Sequence, residues 1–312
     1  MGRWTAADIP DQSGRRAIVT GANSGLGLHT ALEIARHGGQ VILACRDEGR
    51  GRAALERLLA EAPGAGAELR LLDLADLSSV RAFAAGVGEP LDLLVNNAGV
   101  MALPRRTTAD GFEMQIGTNH LGHFALTGLL LPRLLASGDA RVVTVSSGAH
   151  RVGRIDFDDL HGERRYQRWL AYAQSKLANL LFCFELQRRA DAAGAALRSV
   201  AAHPGWAATN LQFAGPEMDA GLLGRVESLS MKVANVVVAQ SDARGALPLL
   251  YAATMDLSGG SYVGPDGPGE LRGHPMLVGS SRAARDEVLA GRLWELSERL
   301  TGVTWSGRSG LG

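Results

Sequence analysis

The chain is 312 residues long, 46% hydrophobic, 21% charged and only 5% aromatic, which suits one large domain and excludes a disordered or disulfide-stapled chain. Its 32 Lys and Arg balance 32 Asp and Glu, and zero net charge excludes the basic excess of a nucleic-acid binder. The two cysteines, Cys45 and Cys183, have neither CxxC nor zinc spacing, so a cytoplasmic, reducing setting and no metal site are expected.

The first ten residues hold no apolar run, so no secretory signal is expected, and Ala6 breaks the myristoylation pattern. Arg16 to Thr20 reads as a short apolar strand, followed by a glycine turn and a helix to about His37. Val41 to Ala44 is the next strand, then an Arg/Glu/Ala/Leu helix from about Glu48 to Glu61. Leu69 to Leu72, Leu91 to Val95, Arg141 to Val145 and Leu197 to Ala202 are further continuous apolar runs, with a short one near Ser261 to Val263. The stretch 124–136 is interrupted by Thr127, Pro132 and Arg133, too short and too broken for an integral membrane segment. Apolar runs separated by helical patterns mark strands buried on both faces of a parallel sheet. The prediction is an α/β fold: one doubly wound domain over residues 1–312, with about seven parallel strands and helices on both faces. Ligands in that architecture bind beyond the carboxyl ends of the strands, where the chemistry-bearing residues fall.

After the first strand comes Thr20-Gly21-Ala22-Asn23-Ser24-Gly25-Leu26-Gly27. Backbone N–H groups from Gly21 through Asn23, Ser24, Gly25, Leu26 and Gly27 can approach a pyrophosphate there, and the following helix offers its positive end. The spacing is G-x-x-x-G-x-G rather than the common G-x-G-x-x-G. The second strand ends Ala44-Cys45-Arg46-Asp47, with Asp47 one position late for the acid that holds a ribose 2′-OH. Arg46 stands where a guanidinium can grip a 2′-phosphate and stack on adenine, which predicts NADP(H). The plain alternative is that Arg46 begins a solvated helix.

Tyr172 and Lys176 lie in a helical stretch, Leu170 to Arg189, and a spacing of four puts phenol and ammonium on one face. A phenol of pKa about 10 passes its proton more readily if an ammonium stabilises the phenolate, so Lys176 is expected to lower the Tyr172 pKa. Lys also stays titratable where Arg does not. This chain has 30 Arg and two Lys, Lys176 and Lys232, so a Lys four after a Tyr stands out.

Together these residues resemble the short-chain dehydrogenase/reductase family across about residues 13–300. The motifs run in family order: Thr20 to Gly27, Asp73-Leu74, Asn96-Asn97-Ala98-Gly99, Asn119, Ser146-Ser147, Tyr172 with Lys176, and Pro204-Gly205 with Thr209. The resemblance implies that Asp73 and Leu74 meet the adenine, Asn97, Ala98 and Gly99 pack on adenosine, and Pro204, Gly205 and Thr209 cover the nicotinamide. It implies a catalytic set of Asn119, Ser147, Tyr172 and Lys176. Ser147 binds the substrate oxygen, Tyr172 is general acid or base on the substrate, Lys176 also holds the nicotinamide ribose, and Asn119 holds a relay water. The residues alone leave other readings open: Asp73 as a helix cap before Leu77, Asn96 to Gly99 as an ordinary turn, and Ser146 as rival to Ser147. Asn119 is a poor helix former in a helical stretch and suggests a local kink. His150 and His203 read as loop residues at the functional edge, because no Gly-x-Ser-x-Gly elbow accompanies them.

Between Ser147 and Tyr172 the chain is longer than in most family members, with an added segment from Arg151 to Trp169. That insertion, with Ala44-Cys45-Arg46 and Ser175 to Asn179, resembles the retinol dehydrogenase and protochlorophyllide reductase-like branch. The resemblance implies NADP(H)-dependent interconversion of a small lipophilic carbonyl and alcohol, with homo-oligomers a common assembly. A carbon–carbon double-bond reductase and a non-catalytic NADP(H)-binding sensor are the alternatives. A segment at about 210–240, with Leu223, Val226, Leu229, Val233 and Val237 on one stripe, is expected to cover the substrate as a lid or as fixed packing.

Overall fold

The computed structural model describes residues 3–88, 90–205 and 241–305. The strands are β1 (Arg16–Thr20), β2 (Gln40–Cys45), β3 (Ala67–Leu71), β4 (Leu93–Asn96), β5 (Ala140–Val145), β6 (Leu197–Ala202), β7 (Tyr262–Pro265) and β8 (Pro275–Leu277). The helices are α1 (Gly25–Arg36), α2 (Glu48–Glu61), α3 (Leu77–Ala85), α4 (Met114–Ile116), α5 (Gly122–Leu135), α6 (Arg168–Ala192), α7 (Asp242–Thr254) and α8 (Glu287–Thr301). The strands join in the order β3-β2-β1-β4-β5-β6-β7-β8. The order reverses between β1 and β4, which pair in parallel from Ala17 opposite Leu93 to Val19 opposite Val95. Thr20 and Asn96 therefore end side by side, and a crevice opens above them.

Period-two alternation splits each central strand between two cores. Ile18 belongs to the core on one face, while Ala17 and Val19 belong to the other. Helices α1, α2 and α7 cover the second face through residues such as Leu32, Leu58 and Leu249. On the first face α3 and α5 pack with an aromatic cluster, in which Phe124 meets Trp294 at 5.1 Å and Trp294 meets Trp305 at 4.7 Å between ring centroids. The inner side of α6, Leu177 to Phe184, joins Tyr262 and Leu293.

The doubly wound α/β prediction holds with one correction. Among the described residues the sheet has eight strands rather than about seven, and β8 pairs with β7 antiparallel. Three residues led by a proline, two of them exposed, give no apolar run to read. Strand β4 also starts at Leu93 instead of Leu91: the Leu91 N–H goes to the Arg133 carbonyl and the Asp92 carboxylate takes the Arg16 N–H. No helix among the described residues is long and apolar enough to cross a membrane.

Candidate active site

At the end of β1, Gly21 (φ +66°) and Gly25 (φ +57°) adopt the left-handed backbone that favours glycine. Gly27 is needed for a different reason: a Cβ there would stand 2.5 Å from the Gly21 carbonyl oxygen and 2.6 Å from Asn97 Nδ2. Helix α1 thus sits directly on the turn, and its N-cap Ser24 makes no side-chain cap bond. The first-turn N–H groups of α1 are left without a side-chain cap, which is the arrangement that receives a phosphate. A dinucleotide fits this cradle.

The turn after β4 is fastened to the glycine turn through Thr20. Thr20 Oγ1 accepts the Asn97 and Ala98 N–H groups, both at 2.9 Å, and Asn97 Nδ2 donates to the Thr20 carbonyl at 2.7 Å. Asn97 and Ala98 therefore shape the crevice floor. Asp73 accepts the Ala75 N–H at 2.9 Å, while α3 is capped by Asp76 through Ser78 at 2.8 Å, so the reading of Asp73 as that cap is set aside. Leu74 is buried, and Gly122 packs on its carbonyl.

The end of β2 separates its three side chains. Cys45 is buried, its thiol pushed up to about 11 by burial, with the Ala22 backbone bond opposing. Asp47 caps α2 by accepting the Arg50 N–H at 2.8 Å. Arg46 is exposed and makes no hydrogen bond or ion pair among the described residues.

Asn119 lies in a five-residue π turn, Gly117–Leu121, in which the Gly122 N–H reaches back to Gly117. Both donors of its buried amide are spent: Nδ2 donates to the Val100 carbonyl and to Ser175 Oγ, each at 2.9 Å, and Oδ1 accepts the Val100 N–H at 2.7 Å. The expected kink is this π turn. Gly99 stands between two of the candidates, since a Cβ on it would be 3.1 Å from Asn119 Oδ1 and 3.6 Å from Lys176 Nζ.

Helix α6 carries Tyr172 and Lys176, both buried, with Nζ 5.7 Å from the phenol ring centroid and donating to the Val145 carbonyl at 3.2 Å. The two serines after β5 divide their work. Ser146 Oγ donates to the Lys176 carbonyl at 2.8 Å, whereas the Ser147 hydroxyl accepts the Ala149 N–H at 3.2 Å and stands close enough to the Tyr172 phenol to favour its ionised form. Burial pushes Tyr172 up to about 12, with Ser147 pulling the other way, and brings Lys176 down to about 8. The expected lowering of the phenol pKa is thus reversed in this structure, because desolvation of a buried phenolate outweighs the serine beside it.

Two histidines anchor the loops around this cluster. His150 Nδ1 donates to the Ser147 carbonyl at 2.7 Å, and its Nε2 accepts the Ser281 N–H. His203 Nδ1 accepts the Gly205 N–H, and Nε2 donates to Glu270 at 2.9 Å, the other oxygen of Glu270 holding Arg151. Gly205 (φ +69°) packs on the Leu271 carbonyl, so Pro204 and Gly205 are held at the end of β6. Thr209 and the segment 210–240 lie outside the described residues. The insertion is tied down as well. The Tyr166 hydroxyl lies 2.8 Å from the Leu103 carbonyl and accepts from Gln115 Nε2 at 2.9 Å, and Gln174 bonds both Asp156 and Leu160.

Sequence reasoning gave Thr20 and Ser175 no role of their own beyond their motifs, and did not single out His123 or Glu270. Thr20 was the polar end of an apolar strand, the one signal that pointed to it; the others are joined across long sequence separations. Burial keeps three imidazoles neutral, at about 3 for His120 and about 4 for His123 and His203, well below the ordinary 6.5. The unfolded chain takes up protons below pH 6.5 that the folded chain refuses. Stability present above that pH is therefore lost as pH falls toward 4. Each histidine costs about 1.4 kcal/mol per pH unit in that window. Thermal melts should be level from pH 7 to 8 and fall steeply between pH 6 and 4.5; a level profile through that range would contradict the neutral assignment.

Residues 15–218 match the short chain dehydrogenase family. Retinol dehydrogenase 13 of Homo sapiens is 44% identical over 309 residues, covering 95% of this chain and 86% of that protein. Polyprenol dehydrogenase of Mus musculus is 44% identical over 305 residues, with the same 95% and 86% coverage. A crystal structure of an uncharacterized protein from Mycobacterium Paratuberculosis shares 50% identity over 98% of this chain and 100% of that one, with a TM-score of 0.81. The chain belongs to the short-chain dehydrogenase/reductase family, in its retinol dehydrogenase-like branch. It is an oxidoreductase of a family that works with nicotinamide cofactors.

Proposed function

We propose that the protein interconverts a lipophilic, isoprenoid-type aldehyde and its primary alcohol, using NADP(H). The observation that carries this reading is buried Tyr172 with half-buried Ser147 close to its phenol and buried Lys176 beside its ring, at the carboxyl end of the sheet. Bound NADP(H) supplies or takes the hydride. The chain's own groups manage the oxygen and its proton. Ser147 binds the substrate oxygen and stabilises charge developing there. Tyr172, near 12, stays protonated at neutral pH and is a ready general acid for carbonyl reduction. Lys176, near 8, is largely charged at pH 7 and favours phenolate during alcohol oxidation. Both N–H donors of the Asn119 amide are taken, and the relay water is assigned to the Asn119 main-chain carbonyl, to which it would donate.

The cofactor form rests on Arg46, unpartnered beside an Asp47 that is committed to α2. The substrate class rests on the names of the two relatives, retinol and polyprenol both being isoprenoid alcohols, and on exposed Leu271, whose carbonyl packs on Gly205 at the end of β6. A reducing, cytoplasmic setting is part of the proposal, supported by two buried unpaired cysteines. The test is reduction of all-trans-retinal by NADPH and NADH with product analysis in the dark. Retinol should form, with NADPH preferred by at least about tenfold, and Arg46→Asp should erase the preference by removing a charge-assisted phosphate contact. A product saturated at a carbon–carbon bond would shift the reading to double-bond reduction, and cofactor binding without turnover to a sensor. Unchanged selectivity in Arg46→Asp would remove the NADP(H) assignment.

A further inference from the structure

His123 is 1% exposed and touches nothing that reacts, yet it sits between two halves of the crevice. Its Nδ1 lies 3.0 Å from the Asn119 carbonyl oxygen, and its Nε2 lies 2.9 Å from Thr20 Oγ1. Proton accounting fixes the direction of both bonds. A carbonyl only accepts, so the proton is on Nδ1; a buried neutral imidazole then leaves Nε2 bare and in need of a donor. Thr20 is that donor, because its two acceptor positions are taken by the Asn97 and Ala98 N–H groups, and its one proton meets Nε2 at 2.9 Å in preference to the Val95 carbonyl at 3.3 Å. The chain of bonds runs one way, from the imidazole to Asn119 and from Thr20 to the imidazole.

We propose that His123 is a positioning residue that holds the glycine and Asn97 turns in register with the π turn carrying Asn119. The Asn119 side chain is steadied by Val100 and Ser175. Its carbonyl, the group left for the proton relay, is steadied by His123. A π turn is rare and gives up regular helical bonding, so its carbonyl needs such outside support. On the other side the imidazole orients the Thr20 hydroxyl, and that hydroxyl sets the two N–H groups that shape the dinucleotide floor. One ring thereby couples cofactor affinity to proton transfer. The inference rests on the reading of this crevice as the dinucleotide and carbonyl site.

The two functions separate by substitution. His123→Asn keeps a short N–H donor toward the Asn119 carbonyl and loses the acceptor for Thr20. His123→Gln reaches Thr20 with its amide oxygen and leaves the Asn119 carbonyl. NADPH affinity is read by nucleotide fluorescence, and kcat with all-trans-retinal. H123N should weaken NADPH about tenfold with kcat within twofold of wild type, and H123Q should lower kcat about tenfold with NADPH affinity within twofold. His123→Phe should show both losses. Parallel losses in both parameters, scaling with Tm across the three variants, would reduce His123 to a packing residue, and no change in either parameter would dismiss it. If wild type binds NADPH without reducing retinal, the substrate reading fails alone. The affinity contrast between H123N and H123Q then decides the inference. If it binds neither NADPH nor NADH, both fall.

Discussion

Tyr172→Phe should fold and bind NADPH as the wild type does while losing at least about 100-fold in retinal turnover, the low end of what a positioned general acid contributes. The ring does the packing: Tyr172 is 6% exposed and lies edge-on to Trp169 at 6.5 Å. The hydroxyl does the chemistry, with Ser147 the polar group beside it. Burial raises the phenol, so the wild-type rate of alcohol oxidation should climb with pH through the alkaline range while carbonyl reduction stays level near neutrality. Turnover by the Tyr172→Phe variant equal to wild type, with the same pH profile, would place the proton on another group.

Gly27→Ala should damage stability and NADPH binding together. The new Cβ would collide with a carbonyl oxygen of Gly21 and with the Asn97 amide. Neither can yield: Asn97 is held by the Thr20 carbonyl and hydroxyl. Overpacking of this kind costs about 1–3 kcal/mol, and relief requires lifting α1 off the turn, which opens the phosphate cradle. Tm should fall by several degrees and NADPH affinity by more than the stability loss alone explains. Gly291→Ala in α8 is the control, since a Cβ there meets nothing within 4 Å, and alanine is the better helix former. A G27A protein with wild-type Tm and affinity would show that the close approach of α1 is dispensable.

The strands were legible because a strand covered on both faces is apolar throughout: VILA in β2 and RVVTV in β5 need no alternation to be seen. The Tyr172–Lys176 pair was legible through the scarcity of lysine. What escaped was of two kinds. Contacts joining Thr20 to Asn97, 77 positions on, and to His123, 103 positions on, leave no local pattern. The direction of the Tyr172 shift also escaped, because spacing along a helix places a charge near a phenol but does not say how much water is removed from both. Strand β8 escaped for want of length.

The aromatic cluster behind the crevice has a consequence for how the chain is made. Phe124 and Phe182 back the two helices nearest the reacting groups, and their partners Trp294 and Trp305 stand almost at the end of the described chain. During synthesis every residue of the proposed catalytic set emerges long before the indoles that complete its support, leaving a greasy flank on α5 and α6 uncovered meanwhile. The last packing step joins residues well over a hundred positions apart, which places the closure of this core late in folding. The support of α5 and α6 is thus complete only once α8 and Trp305 have been made, and truncation before Trp294 would remove the brace while leaving every proposed catalytic side chain in the sequence.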